Sequence, residues 1–245
     1  MEENYDNFTE LFNQFRENID QLQNRIFDNH ENIIERDRLY NLSNDLKNLD
    51  VKLRLAFGME EIRLNPIFVD EKQDDLKLCH LLYYKIADLW FAYESYIIFY
   101  TKVFQTAKNK ILWLDTLTHT NYSNLPEIIR SLDLAVENIS QLYSNDARRN
   151  FFLEYLNYCS SNSVGGQRNR LSIIIDKIQN ENFNLSHTDI LTIFYSVRNN
   201  FVHNGETTVV PEIFGYQNKV RLLMVLHQYL SIIILKSSNK TFQRI

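Results

Sequence analysis

An arginine and a histidine five positions apart, Arg198 and His203, are the side chains of this 245-residue sequence best matched for joint chemistry. The stretch reads RNNFVH and is followed by Asn204 and Gly205. A guanidinium presents a planar fork to two phosphate oxygens and stabilises the charge that builds on a phosphorane. An imidazole takes the proton of a 2′-hydroxyl or returns one to a leaving oxygen, and neither step needs a metal. A site with one histidine must use it twice or find a second catalyst, whereas a two-fold dimer brings two such pairs to one cleft.

The segment before the pair explains how it is held. Ile190, Ile193, Phe194, Val197 and Phe201 recur at helical spacing, which predicts a helix with one apolar stripe turned to a core. Ser186 to Asp189 supplies capping residues for its start. Arg198 falls on the flank of the stripe, where its stem can lie on apolar surface while its head reaches a cleft. His203 would lie roughly 140° further round if the helix continued. Asn204 and Gly205 instead form a left-handed stop, so His203 is expected to hang off the helix end, where the macrodipole favours imidazolium.

These residues resemble the signature of the HEPN family: an arginine, usually followed by a polar residue, four to six intervening positions, then a histidine. Arg198, Asn199 and His203 fill those places, and the Asn199-Asn200 doublet, the apolar Phe201-Val202 pair and the amphipathic helix before them are also similar. The resemblance implies an all-α, HEPN-like helical bundle over residues 67 to 245 and a metal-independent endoribonuclease working as a homodimer. Arg198 and His203 would be catalytic, Asn199 and Asn200 would bind substrate, and the products would end in 2′,3′-cyclic phosphate. The implied setting is phage defence or a toxin–antitoxin pair, with an antitoxin or another protein as a further partner. Family members silenced by nucleotidylation carry a tyrosine two residues after the histidine; here that place is Gly205.

The rest of the chain is read as scaffold. Five glycines and three prolines are so few that helices should fill the gaps between them. Residues 5 to 29, and then Ile33, Ile34, Leu42, Leu46, Leu49, Leu53 and Leu55 up to Gly58, predict an amphipathic hairpin, an acidic arm over residues 1 to 60 that serves for packing or as a partner or dimerisation surface. From Asp70 to about Asn109 no breaker occurs, and Leu89 to Tyr100 is apolar nearly all round, which predicts the central helix of the bundle. Glu94 stands out in it: a carboxylate among aromatic residues either faces solvent with no special role or, if buried, needs a partner, for which Arg198 is a candidate. Further helices are expected from Pro126 to about Tyr143, from Asp146 to Cys159, and from Gln217 to Lys236. The linker Ser160 to Arg170 joins a flexible Gly165-Gly166 to Arg168 and Arg170, a candidate contact to a phosphate backbone, although it lacks the G-K-S/T ending of a P-loop.

Composition sets the limits. Cys79 and Cys159 show no metal-ligand or disulfide spacing, so no metal and no cofactor is called for and a reducing, cytoplasmic setting is expected. No apolar run reaches the ~18 residues of a spanning helix, so no membrane role is expected. The net charge of −5 opposes RNA over the whole surface. Its distribution is uneven: residues 1 to 60 carry 7 basic and 13 acidic side chains, residues 146 to 245 carry 11 basic and 7 acidic, and the motif lies in the basic part. Two other readings fit the same residues: a non-catalytic module that binds RNA or a protein, and an unrelated helical scaffold in which Arg198 pairs with a carboxylate and His203 caps a helix.

Overall fold

Long stretches without glycine or proline became long helices. The computed structural model describes residues 3–63, 65, 67, 74–107, 109–112, 145–182, 185–209, 211–212 and 215–245. Seven helices stand among them: α1 (Glu3–Asp28), α2 (Ile33–Gly58), α3 (Asp74–Phe104), α4 (Asp146–Ser161), α5 (Gly165–Gln179), α6 (His187–His203) and α7 (Tyr216–Phe242). No strand occurs among the described residues, and the fold is an all-α bundle. The helix expected from Pro126 to Tyr143 and the start at Asp70 lie outside the described residues.

Two helices form the middle of the bundle. α3 buries Leu89, Trp90, Ala92, Tyr93, Tyr96, Ile97, Phe99 and Tyr100, the run that is apolar on almost every side, and packs against α2 and α7. α7 extends beyond the expected Lys236 because Ser237, Ser238 and Thr241 are buried too, with the Thr241 hydroxyl donating to the Ser237 carbonyl at 2.8 Å. Its apolar stretch has a mean hydropathy of 1.4 and is 56% buried, and by length and composition it is the one helix among the described residues able to cross a membrane. Here it packs against α3 and α1.

The hairpin of α1 and α2 forms as expected, and its apolar faces join the main core. Phe15, Ile19 and Leu22 of α1 and Leu39, Leu42, Leu46, Leu49, Leu53 and Ala56 of α2 belong to the same core as Trp90, Phe194 and Ile233. Polar contacts tie α1 to the C-terminus as well: the Asn18 side-chain amide donates to Asn239 Oδ1 at 3.0 Å, and Arg25 donates to the Ile245 carbonyl at 2.9 Å. The buried stripe of α2 also differs from the expected one. Ile33, Ile34 and Leu55 are exposed, while Leu39 and Ala56 are buried, because the packed face keeps the three- and four-residue spacing from Leu39 onward.

α4, α5 and α6 carry the motif at the side of α3. α6 begins with a complete capping box: Ser186 Oγ accepts from the Asp189 N–H at 3.2 Å, and Asp189 Oδ2 accepts from the Ser186 N–H at 2.8 Å. Lys177 of α5 pairs with that same carboxylate at 2.6 Å, fixing α5 to the start of α6. Ile190, Ile193, Phe194 and Val197 are fully buried and Phe201 is partly buried, as the stripe predicts.

Candidate functional site

The motif helix runs to His203 itself, so the histidine occupies the last helical turn rather than hanging beyond it. The stop comes one residue later. Gly205 adopts φ +71°, a left-handed conformation that costs a side-chain-bearing residue more, and the Glu206 N–H turns back to the Asn200 carbonyl at 3.0 Å. His203 stays exposed at this end, near α6's C-terminal carbonyls.

Arg198 reaches round the helix to meet it. Its Nη1 donates to His203 Nε2 at 3.0 Å and to Asn199 Oδ1 at 2.9 Å. A guanidinium has no acceptor, so Nε2 must accept, and the imidazole in this arrangement is the neutral Nδ1–H tautomer. The guanidinium carbon lies 4.9 Å from the centre of the Phe91 ring, a cation–π contact from α3, and the whole side chain is only 9% exposed. Both hydrogens of Nη1 are engaged, and Nε is buried without a hydrogen-bond partner among the described residues. A buried guanidinium N–H without an acceptor is a costly feature in a packed core.

The other expected site residues are placed differently. Glu94 does not meet Arg198: it pairs with Lys110 at 2.6 Å, and Phe91, one turn earlier on α3, takes the arginine instead. Asn200 is 2% exposed and turned inward, with its amide donating to Cys159 Sγ at 3.1 Å and its Oδ1 accepting from Asn204 at 2.9 Å. Asn199 is half-buried and lies against Arg198. The glycine linker is shorter than expected, since α5 already begins at Gly165. Arg168 caps the end of α4 by donating to the carbonyls of Ser160 and Ser161 at 3.2 and 3.3 Å, and the Arg170 guanidinium folds back against Gly166. No hydrogen bond or ion pair among the described residues joins Arg168 or Arg170 to Arg198 or His203.

Beneath the end of α6 lies a polar cluster that sequence spacing does not reveal. Glu206 is 2% exposed and accepts hydrogen bonds from the Tyr83 hydroxyl and, at 3.3 Å, from the Tyr155 hydroxyl. Lys219, 1% exposed, stands 3.5 Å from the same carboxylate and donates to the Thr207 carbonyl at 2.6 Å. Burial pushes the Glu206 carboxyl above its ordinary range, while Lys219 and the tyrosine hydroxyls pull it back; burial pushes Lys219 down, against the pull of Glu206. Cys79 and Cys159 flank the cluster, and burial raises both thiols, Cys79 to about 12. The one available signal was a lysine near the start of an apolar helix, and its partner is 13 residues away across a turn.

No family model, no curated protein and no solved structure matches this chain.

Proposed function

We propose that the protein is a metal-independent endoribonuclease of the HEPN type, working as a homodimer in which two Arg198–His203 pairs share one cleft. The observation that carries this reading is the 3.0 Å contact between Arg198 Nη1 and His203 Nε2 at the exposed end of α6. Through it the arginine holds the imidazole nitrogen as a proton acceptor, the form needed to take the 2′-hydroxyl proton. A phosphate of the substrate competes for the guanidinium, draws Nη1 away and leaves Nε2 free. The 2′-oxygen then attacks phosphorus, its proton passes to Nε2, and the 5′-oxygen leaves with a proton from the second copy's histidine. Arg198 balances the charge on the phosphorane. A toxin–antitoxin or phage-defence setting, with a protein partner that restrains the activity, follows from the resemblance alone.

The test is cleavage of RNA in excess chelator by wild type, His203→Ala and Arg198→Lys at matched folding. Loss of proton transfer at His203 should slow cleavage by roughly 10²- to 10⁴-fold. Arg198→Lys should recover little, because lysine keeps the charge and loses the planar fork. Equal cleavage by wild type and His203→Ala would sink the catalytic reading. A second reading, a binding module without catalysis, has one observation in its favour: both Nη1 hydrogens of Arg198 are already spent within the chain, as in a structural cap. RNA binding without cleavage by the wild type would select it.

A further inference from the structure

Against Phe201 of the motif helix, α3 presents an aromatic ring to solvent. Tyr84 is 45% exposed, although it sits on the central helix of the bundle. Its ring is held edge-on by two others, His80 at 5.1 Å and Phe201 at 5.5 Å between centroids. Phe201 in turn stacks on buried Tyr83 at 4.7 Å, so the platform rests on a fixed base. Burial lowers the pKa of His80, which favours the neutral ring. A half-exposed tyrosine propped by two rings is held in place while part of its ring stays in reach of solvent.

Its position relates it to the arginine. Phe201 follows Arg198 by three residues on α6, and Phe91, over which the guanidinium lies, follows Tyr84 by seven residues on the same side of α3. Two turns of helix put Tyr84 about 10 Å along α3 from Phe91. An exposed ring, a guanidinium whose buried Nε has no hydrogen-bond partner among the described residues, and an exposed imidazole thus share the region where α3 meets the end of α6. Single-stranded nucleic acid is bound by this alternation of a stacking ring with a cation for the neighbouring phosphate. A duplex hides its base faces and cannot use the ring.

We propose that Tyr84, supported by His80 and Phe201, is a base-stacking subsite that seats an unpaired nucleobase of single-stranded RNA next to the phosphate held by Arg198. The proposal rests on the reading of Arg198 and His203 as an RNA site. A base on Tyr84 sets which phosphate of the strand reaches the pair, so the ring contributes to the choice of cleavage point.

The experiment uses the full chain carrying His203→Ala, to prevent turnover, and a short single-stranded RNA containing 2-aminopurine, whose fluorescence is quenched on stacking. Adding Tyr84→Ala should weaken binding between about 5- and 150-fold and abolish the quench, while Tyr84→Phe should retain both. Circular dichroism checks that the exposed position tolerates the change, and Tyr84→Phe supplies a comparison that keeps the ring. Unchanged affinity and quench in Tyr84→Ala, or duplex RNA bound as tightly as single strand, would overturn the subsite while leaving the Arg198–His203 reading intact. Tyr84-dependent binding with no cleavage by the wild-type chain would retain the subsite and remove the nuclease. Absence of RNA binding by every variant would remove both.

Discussion

The Glu206–Lys219 pair offers the sharpest test of how the end of the motif helix is held. The two side chains are 0% and 1% exposed, so water screens neither charge, and the modest value of a surface ion pair does not apply. Glu206→Ala would remove the carboxylate and leave the Lys219 ammonium buried opposite two tyrosine hydroxyls. Breaking one side of such a pair costs about 3–5 kcal/mol. For a domain of this size each kcal/mol lowers the melting temperature by about 2–4 °C, so a drop of roughly 6–20 °C is expected. The assay is thermal and urea unfolding followed by circular dichroism. Replacing both partners, Glu206→Leu with Lys219→Met, should restore part of the loss, because no charge is then left buried, although the Tyr83 and Tyr155 hydroxyls still lose the Glu206 acceptor. A Glu206→Ala protein within about 0.5 kcal/mol of wild type would refute the reasoning, as that is the range of a surface substitution. So would a double variant less stable than Glu206→Ala alone.

Three further outcomes follow from the same packing. His227 has a folded pKa depressed to about 4 by burial and by Lys85, so its contribution is present above the unfolded value near 6.5 and is lost as the pH falls towards 4. Stability should drop by up to about 3 kcal/mol across that window, and His227→Gln should flatten the profile in urea titrations at each pH. A chain starting at residue 67 should fail to give a cooperative unfolding transition, since removing α1 and α2 uncovers the faces of α3 and α7 that share their core; a soluble, cooperatively folded fragment would refute this. Cys79 and Cys159, buried and with raised pKa values, should resist alkylation in the native protein and react fully in denaturant, which mass spectrometry reads directly.

The motif helix was legible because all its cues are local. Ser186 and Asp189 make their capping box within one turn, Ile190 to Phe201 carry a stripe of period 3.6, and Gly205 takes the left-handed conformation that only its own backbone has to accommodate. The same locality made the hairpin of α1 and α2, the central helix α3 and the all-α class readable from scarce breakers and apolar spacing. It also placed Arg198 on the flank of the stripe.

Partner choice between helices depended on tertiary structure. A sequence can show that Glu94 needs a cation, but Lys110 and Arg198 compete for it, and the crossing of α3 and α6 gave Arg198 to the Phe91 ring. Asn200 looked like a substrate contact by position in the motif, yet α4 packs against that side and consumes its amide through Cys159. The acidic arm looked separable because charge is counted along the chain, whereas its apolar stripe can be assigned to one core or two only once α3 and α7 are seen to cover it. The Glu206–Tyr83–Tyr155–Lys219 cluster has members on α3, α4, the turn after α6 and α7. Local periodicity carries no information on contacts between residues on different helices, here up to 123 positions apart, and burial, the property that makes those four residues important, exists only after the helices have packed.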